Sequence, residues 1–414
     1  MGPYARRILL LALVSGLALA GCEEDAATSR NARPDSPAIG VVDRSTTSTD
    51  LLLEESWQVY KDRFIQGDGR VIDRERQDRT VSEGQAYAML RAVMIDDPDT
   101  FARTLEWAEA NLRRTDAEGN LTDTLWAWQW GQAPDGSWRI LDTNFASDAD
   151  LDAVTALILA ARRWNRPDYL ELARTKLEDL WDLSTVSVPA AATRSGRDRY
   201  FMPGPAEAFL TQPNLVYLNP SYYAPYAFRL FAQIDPTRDW EGLVDTSYAS
   251  LVQSADLSET GLPSDWVALD QRNGEYYPIG PSQPLRSVYS FDAYRVWWRV
   301  ALDAALFDEP RAYDFLETYL APIEEIWRSQ QSVPATIGLD GQPLVDYDST
   351  AQYGMLYAAF YLTDPDLAAQ ILDQKLLPRY QNGIWDNDTA YYTQNLSWFG
   401  LFSASDVAST WLRP

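Results

Sequence analysis

The stretch 145-FASDADLDAVTALILAARRWNRPDYLELARTKLEDLWDL-183 encodes two helices of different character. Residues 153–161 are apolar on nearly every face, so we predict a helix that is buried on all sides. The next segment, 167–183, begins with Pro-Asp and combines apolar spacing of three and four with a charged face, which predicts an amphipathic outer helix. An inner helix followed by an outer helix is the repeating unit of a closed α/α toroid.

The rest of the chain after residue 50 also has the patterns of helices. Strand-like alternation is scarce and confined to short pieces such as 214-NLVYL-218. At roughly 30 residues per helix and loop, a body of about 360 residues would hold about twelve helices, or six hairpins. We therefore predict an all-α fold, an (α/α)6 barrel, with an irregular all-α domain as the alternative. The other candidate helices are 51–65, 84–95, 98–112, 221–234, 291–307, 312–330 and 349–362.

The composition restricts the chemistry available to this chain. It has 414 residues, no histidine and a single cysteine, Cys22. Histidine-dependent nucleophiles, the commonest zinc ligands and an internal disulfide are therefore excluded, and carboxylates are the main acid–base groups left. A formal charge of −25 argues against nucleic acid as a partner and favours a neutral substrate. We predict no cofactor and no metal.

The N-terminus has the pattern of an export signal. Arg6 and Arg7 precede the apolar run 8-ILLLALVSGLALA-20, and 19-LAGC-22 resembles a bacterial lipobox in which Cys22 would be lipidated. A plain cleaved signal is the alternative and would also export the protein. Glu23 after the cysteine predicts anchoring to the outer membrane. We thus expect a lipoprotein signal peptide at 1–21, a polar flexible tether at 22–50, a catalytic domain at 51–414, and a lipid-anchored location in the periplasm or cell envelope.

The first acidic candidate is Glu83 in 81-VSEGQAYAML-90, just before an apolar helix. One interpretation is structural, with Ser82 as the N-cap and Glu83 complementing the helix dipole. The other is catalytic. Burial, aromatic neighbours such as Tyr87 and nearby negative charge would keep Glu83 protonated as a general acid.

The second candidate is the run Asp148, Asp150 and Asp152. Ser147 or Asp148 could cap the following helix, with Asp150 in its first turn. A calcium loop is excluded, because Ala153 occupies the position that needs glycine and Leu159 the position that needs glutamate.

The third candidate is 289-YSFDAYRVWWRV-300. Asp292 and Arg295 are three residues apart on one predicted helix face, and Arg299 follows one turn later. An ordinary ion pair would explain this spacing. Alternatively, the guanidinium keeps Asp292 ionised as a base. A protonated acid together with an ionised base is the pair of groups that glycosidic bond hydrolysis requires.

Taken together, these motifs resemble glycoside hydrolase family 8. The stretch 146-ASDADLDAV-154 matches the first five positions of the family signature A-[ST]-D-[AG]-D-x-x-[IM]-A, and departs from it at Ala153 and Val154. The resemblance runs in order from about residue 55 to 400. The other matching motifs are 69-GRVID-73, 82-SEGQAYAM-89, 125-LWAWQWG-131, 219-NPSYYAP-225, 263-PSDW-266, 289-YSFDAYRV-296 and 390-AYYTQNLSWFG-400.

The resemblance, which is greatest to the periplasmic endoglucanases of bacterial cellulose synthesis, implies an (α/α)6 barrel and an inverting endo-β-1,4-glucanase. It implies that Glu83 is the general acid, Asp292 the general base, and Asp148 the residue that holds the distorted sugar. On the substrate side it implies that Tyr222 positions the water and that Arg295 orients Asp292. Tyr87, Trp126 and Trp128 are candidates for sugar stacking. Asp150 is also a substrate-side candidate, although Asp150 and Asp152 could instead cap the helix or hydrogen-bond the loop.

The expected partner is a β-1,4-linked polysaccharide, cellulose or a related β-glucan, acted on by a monomer. Contact with the cellulose synthesis and export machinery and with the outer membrane is also expected. Xylan and chitosan are the alternative substrates within the family. An inactive glycan-binding lipoprotein is the alternative from another class, and the presence of both Glu83 and Asp292 argues against it.

Overall fold

The computed structural model describes residues 49–189, 196–210, 212–402 and 411–412. The predicted signal peptide, Cys22 and the tether up to residue 48 lie outside the described residues. Thr49 and Asp50, which we assigned to the tether, instead form the first turn of a helix. None of the helices in the described ranges combines the length and apolarity that crossing a bilayer requires.

The described chain is mainly helical, and short 3-10 turns at Arg74–Arg76 and Pro220–Tyr222 and a π turn at Leu372–Leu376 add to the α-helices. In chain order the α-helices are α1 (Thr49–Phe64), α2 (Ser82–Ile95), α3 (Pro98–Asn111), α4 (Ser147–Trp164), α5 (Pro167–Ser184), α6 (Ala206–Phe209), α7 (Pro225–Ile234), α8 (Trp240–Ala255), α9 (Tyr294–Phe307), α10 (Pro310–Tyr319), α11 (Ala321–Gln330), α12 (Thr350–Thr363), α13 (Pro365–Ile371) and α14 (Tyr391–Leu401).

Six of these helices form a closed inner ring. Helix α2 contacts α4, α4 contacts α7, α7 contacts α9, α9 contacts α12, α12 contacts α14, and α14 returns to α2. Each inner helix also packs against an outer one, in the pairs α2–α3, α4–α5, α7–α8, α9–α10, α12–α13 and α14–α1. The predicted (α/α)6 barrel is confirmed. Its sixth hairpin joins the last inner helix to the first described helix.

A recurring turn connects inner to outer helices. Asp96, Asn165 and Asp308 end three inner helices in the left-handed conformation, and a proline begins the outer helix two residues later. Asparagine and aspartate tolerate this conformation, and proline suits the first turn of a helix. These turns form a repeat that the sequence contains but that we did not predict.

Two inner helices approach each other closely at a pair of glycines. A side chain on Gly400 in α14 would overlap the carbonyl of Gly354 in α12, and one on Gly354 would lie 2.7 Å from the carbonyl oxygen of Leu396. Glycine is required here because the two backbones touch.

Strands extend the loops at one end of the barrel. They are β1 (Thr80–Val81), β2 (Arg113–Thr115), β3 (Leu121–Gln132), β4 (Trp138–Phe145), β5 (Thr185–Ser187), β6 (Arg199–Phe201), β7 (Leu215–Leu218), β8 (Val267–Asp270), β9 (Tyr276–Pro278), β10 (Tyr380–Gln381) and β11 (Ile384–Trp385). Our expectation that strands are confined to short pieces was wrong for β3 and β4, which form an antiparallel hairpin. The period of two in Trp126, Trp128 and Trp130 was the available signal.

The three-stranded sheet β7-β8-β9 places two loops side by side. In its register Leu218 pairs with Val267, so the segment that follows β7 and the segment that precedes β8 leave the sheet at the same end. These segments carry Tyr222 and Trp266. The sheet therefore brings together residues that are far apart in sequence.

Three predicted helix boundaries were wrong, and the causes are local. Residues 312–330 form two helices that meet at Leu320, with a proline opening the second. Residues 221–234 divide into a 3-10 turn and α7, which begins at Pro225. Helix α9 begins at Tyr294, so Asp292 lies in the turn before the helix and not on its face.

Candidate active site

The acidic candidates converge at the N-terminal ends of the inner helices. Glu83 is the second residue of α2, Asp148 the second residue of α4, and Asp292 lies two residues before α9. Tyr391 is the first residue of α14. Because the partial positive charge of a helix is at its N-terminus, this end of the barrel stabilises carboxylates.

The capping interpretations of Ser82 and of Ser147 or Asp148 were wrong. The N-cap residues of α2 and α4 are Val81 and Ala146, and neither helix has a side-chain cap. The serines and the acids after them already belong to the first turns. The acidic side chains are therefore free to point toward one another.

Arg295 lies at the centre of the three carboxylates and is 1% exposed. Its Nη1 donates to Glu83 Oε2 at 2.7 Å and to Asp148 Oδ2 at 2.9 Å. Its Nη2 donates to Asp292 Oδ1 at 2.8 Å and to Ser221 Oγ at 3.0 Å. We predicted that Arg295 orients Asp292, and the structure shows that it also binds the other two acids.

Glu83 has the environment of a proton donor. Burial and, to a lesser extent, the negative charge of Asp148 raise the pKa of Glu83 to about 7, and the positive charge of Arg295 opposes this rise in part. Tyr391 donates its hydroxyl to Glu83 Oε1 at 2.9 Å. A carboxyl group with this pKa is substantially protonated at neutral pH and can donate its proton.

Asp292 is held on both carboxylate oxygens. Arg295 binds Oδ1, and the indole N–H of Trp266 donates to Oδ2 at 3.1 Å. Both partners are donors, and hydrogen bonds to the charged form favour ionisation. The contacts suit a proton acceptor.

Tyr222 completes this part of the site. It is 8% exposed, and its ring lies 5.3 Å from the Arg295 guanidinium carbon. Burial and the neighbouring Asp148 raise the pKa of Tyr222 well above its usual value, so its hydroxyl keeps its proton.

A small cavity opens between the proposed acid and base. Glu83, Asp292, Arg295 and Tyr222 all line this cavity. The cavity also extends past the charged residues of the loop before α2. The remaining lining residues are Asp73, Glu75, Arg76, Phe291, Tyr391 and Tyr392.

Three of the predicted substrate-side residues, Tyr87, Trp126 and Asp150, are buried away from this cavity and present no face to it. Tyr87 has no exposed surface, packs against Phe399 and lies 3.3 Å from Arg295 Nη1. Trp126 is also fully buried, with its indole N–H on Glu109. Asp150 accepts the backbone N–H of Trp126 at 3.1 Å and so holds the hairpin, as its alternative interpretation predicted.

Trp128 and Asp152 also differ from expectation. Trp128 is 2% exposed, and the Arg79 guanidinium carbon lies 5.7 Å from the centroid of its ring, so the ring offers no open face for a sugar. Asp152 neither caps the helix nor binds the loop. It forms a two-point ion pair with Arg299.

Sequence reasoning assigned no role to Tyr391, Trp266, Asp265 or Ser221, although each lies in a motif that carries the family resemblance. For Tyr391 and Ser221 the available signal is a polar or aromatic residue at or shortly before the start of an inner helix, whereas Asp265 and Trp266 precede β8 and have no such signal. Within the described ranges, no group of acidic or cysteine side chains is arranged to hold a metal ion.

Comparison with known proteins agrees with this geometry. The family model for Glycosyl hydrolases family 8 matches residues 39–405. The endoglucanase of Xanthomonas axonopodis pv. citri (strain 306) is 33% identical over 281 residues, which cover 67% of this chain and 67% of that protein. The probable endoglucanase of Novacetimonas hansenii is 31% identical over 248 residues, which cover 59% of this chain and 65% of that protein.

A solved structure extends the match to most of the barrel. The endo-1,4-D-glucanase from Vibrio fischeri ES114 superposes with a TM-score of 0.69 at 26% identity, over 84% of this chain and 93% of that chain. The chain spans about two thirds or less of the length of the curated relatives it matches. Since the family model covers most of the sequence, this chain belongs to glycosyl hydrolase family 8.

Proposed function

We infer that this protein cleaves internal β-1,4-glucosidic bonds of cellulose or a related β-glucan with inversion at the anomeric carbon. The observation that carries this inference is the pairing of Glu83 and Asp292 through separate nitrogens of one guanidinium, beside one cavity. The two groups lie 209 residues apart in sequence, and each accepts one further hydrogen bond, Glu83 from Tyr391 and Asp292 from Trp266. The relatives that bear the name endoglucanase support glucan as the polymer.

In the proposed reaction Glu83 donates its proton to the glycosidic oxygen as the bond from that oxygen to the anomeric carbon breaks. Asp292 takes a proton from a water molecule, and the resulting oxygen nucleophile bonds to the anomeric carbon from the opposite face. The acid ends deprotonated and the base protonated, so one exchange of protons with solvent restores both. No covalent enzyme intermediate forms.

The other groups stabilise this reaction electrostatically. Asp148, which lies behind the cavity on Arg295, adds negative charge that favours the positive charge developing on the sugar ring, and Tyr222, which lines the cavity, is positioned to hold the water. Arg295 keeps the three carboxylates together, and it keeps Asp292 ionised. For inversion, we expect the two carboxyl groups to be about 6.5–9.5 Å apart with substrate bound, which leaves room for one water.

A reducing-sugar assay on carboxymethylcellulose, xylan and chitosan, side by side, tests the proposal. We expect the highest kcat/KM on carboxymethylcellulose, with a rapid fall in viscosity because the cleavage is internal. Nuclear magnetic resonance of the first product should show the α-anomer. Activity on xylan or chitosan alone would replace the substrate assignment, and no activity on any polymer would favour a glycan-binding protein.

We also propose that the protein acts in the periplasm as a lipoprotein of the outer membrane and trims cellulose made by the same cell. The motif ending at Cys22 supports the anchor, and a tethered enzyme acts close to its producer. Labelling of the wild type but not of Cys22→Ser by a radioactive fatty acid would support this location. Equal labelling of both would contradict it.

A further inference from the structure

The dipeptide Asp265–Trp266, immediately before β8, contacts the proposed base from two directions. Its backbone is fixed first. The Asp265 N–H donates to the carbonyl of Val288 at 2.7 Å, and Ser287 Oγ donates to the carbonyl of Trp266 at 2.6 Å. The dipeptide therefore moves as one unit with the segment that leads to Asp292.

Asp265 holds the backbone on each side of Asp292. Its Oδ1 accepts the N–H of Ser290 at 3.1 Å and the N–H of Ala293 at 2.8 Å. Ala293, the N-cap residue of α9, has no side-chain oxygen with which to satisfy the first turn. Asp265 instead binds the N–H of this N-cap residue and of Ser290 from a distant loop, so the turn that carries the base cannot shift without loss of these bonds.

Trp266 holds the side chain of the base. Its indole N–H binds Asp292 Oδ2, and its ring stacks on Phe209 with centroids 5.8 Å apart and planes 5° apart. The ring of Tyr222 lies 6.4 Å away on another side. With Arg295 on the other oxygen, the carboxylate has one orientation, aimed at the cavity.

We propose that Asp265 and Trp266 are positioning residues for the base, with Trp266 setting its ionisation and Asp265 its location. The inference rests on the proposed function. The charged and titratable groups that face Asp292 are Arg295 from α9, Asp265 and Tyr222 from the loops beside β8 and β7, Glu83 from α2 and Tyr392 from α14. The indole N–H of Trp266 is a direct donor to the Asp292 carboxylate that can be removed while every one of these charges is kept.

The test is the pH dependence of kcat/KM for Trp266→Phe on carboxymethylcellulose. Because the indole N–H stabilises the ionised carboxylate, its loss should move the acidic limb upward by about one pH unit, which lowers kcat/KM by about tenfold at pH values on the acidic side of both limbs, with KM nearly constant. The matched control is Trp297→Phe in α9, which also removes a buried indole N–H, but one that binds the Tyr289 hydroxyl. That variant should keep the wild-type acidic limb.

Asp265 is tested with two variants. Asp265→Asn keeps an oxygen that can accept both backbone N–H groups and should retain kcat within a few-fold, whereas Asp265→Ala should lose activity about a hundredfold. Folding of both is checked by circular dichroism. If Asp265→Ala does not fold, Asp265→Asn decides, and a loss of kcat of about a hundredfold in the folded Asp265→Asn would overturn the role of the Asp265 oxygen.

Asp292→Asn separates the failure of this inference from that of the proposed function. An active wild type with an inactive Asp292→Asn supports the base. Once that result is obtained, a wild-type acidic limb in the single variant Trp266→Phe would overturn the role of Trp266. Wild-type kcat in the single variant Asp265→Ala would overturn the role of Asp265. An inactive wild type, or an active Asp292→Asn, would overturn the proposed function or its base.

Discussion

Two buried arginines, one helical turn apart in α9, have opposite surroundings. Arg295 faces three carboxylates from three parts of the chain, beside a cavity. Arg299 has a single carboxylate, Asp152, which binds both of its terminal nitrogens, and the hydroxyl of Tyr226 at 2.8 Å. Asp148 and Asp152 are likewise one turn apart in α4. The buried charges thus form two layers one helical turn apart, an upper layer around Arg295 and a lower layer around Arg299.

The layers differ in charge balance. The lower layer, Arg299 with Asp152, is neutral, and its two side chains are 0% and 1% exposed. The upper layer, Arg295 with Glu83, Asp148 and Asp292, has more acids than its one cation can neutralise. Burial is the main cause that raises the pKa of Glu83 to about 7; the neighbouring Asp148 and Asp292 act in the same direction, and the charge of Arg295 opposes them. A buried ion pair by itself therefore indicates structure, and an unbalanced cluster beside a cavity indicates chemistry.

The largest effect is expected in the upper layer, from Glu83→Gln. Loss of the proton donor should lower kcat by about 10²–10⁴-fold, with circular dichroism unchanged. Because burial raises the pKa of Glu83, its contribution to stability is lost as pH rises toward 7, so the variant should be at least as stable as wild type at pH 8. Glu106→Gln, an exposed residue of α3, is the matched control. Wild-type kcat in Glu83→Gln would remove this residue from the mechanism.

The lower layer should respond in stability and not in activity. Asp152→Asn leaves the Arg299 charge uncompensated in the core and should lower the free energy of unfolding by about 3–5 kcal/mol. Urea denaturation measures this loss. Activity per folded molecule at low temperature should stay within a few-fold of wild type. A large drop in kcat without destabilisation would show that the two layers are not separate.

The pH profile tests the raised pKa of Glu83 directly. With the pKa of Glu83 at about 7, kcat/KM should fall about tenfold per pH unit above that value, because only the protonated acid reacts. The profile of wild type on carboxymethylcellulose between pH 4 and 9 shows this alkaline limb. Activity that stays constant to pH 9 would exclude Glu83 as the donor that titrates.

The smallest effect on activity is expected from Asp150→Asn, beside both layers but part of neither. Burial raises the pKa of Asp150 to about 7, so its stabilising contribution is full below its unfolded value of 3.8 and is lost as pH rises through 7. Relative to wild type, the variant should gain up to about 1.4 kcal/mol of stability per pH unit between pH 4 and 7. KM should not change, since the side chain holds the β3 backbone. A clear rise in KM would restore Asp150 to the substrate side.

The sequence alone was sufficient for the barrel and for the three acids. Apolar spacing distinguishes α4 from α5, because an inner helix is buried on nearly every face and an outer helix exposes one face to solvent. The absence of histidine restricts acid–base chemistry to carboxylates. Ordered motifs then single out Glu83, Asp148 and Asp292, which lie together as the family resemblance implied.

Only the tertiary structure decided which neighbours serve those acids. The i, i+3 spacing predicted one partner for Arg295, whereas the other partners come from helices more than 140 residues away. Trp126 and Trp128 of the hairpin are residues of the type that stacks on sugars. Both are buried, and the Arg79 side chain lies over the ring of Trp128, so neither presents an open face to a sugar. The pattern of a sequence records local periodicity and residue type. The closure of the ring determines which helix ends meet, and hence which carboxylate is buried, paired or left protonated.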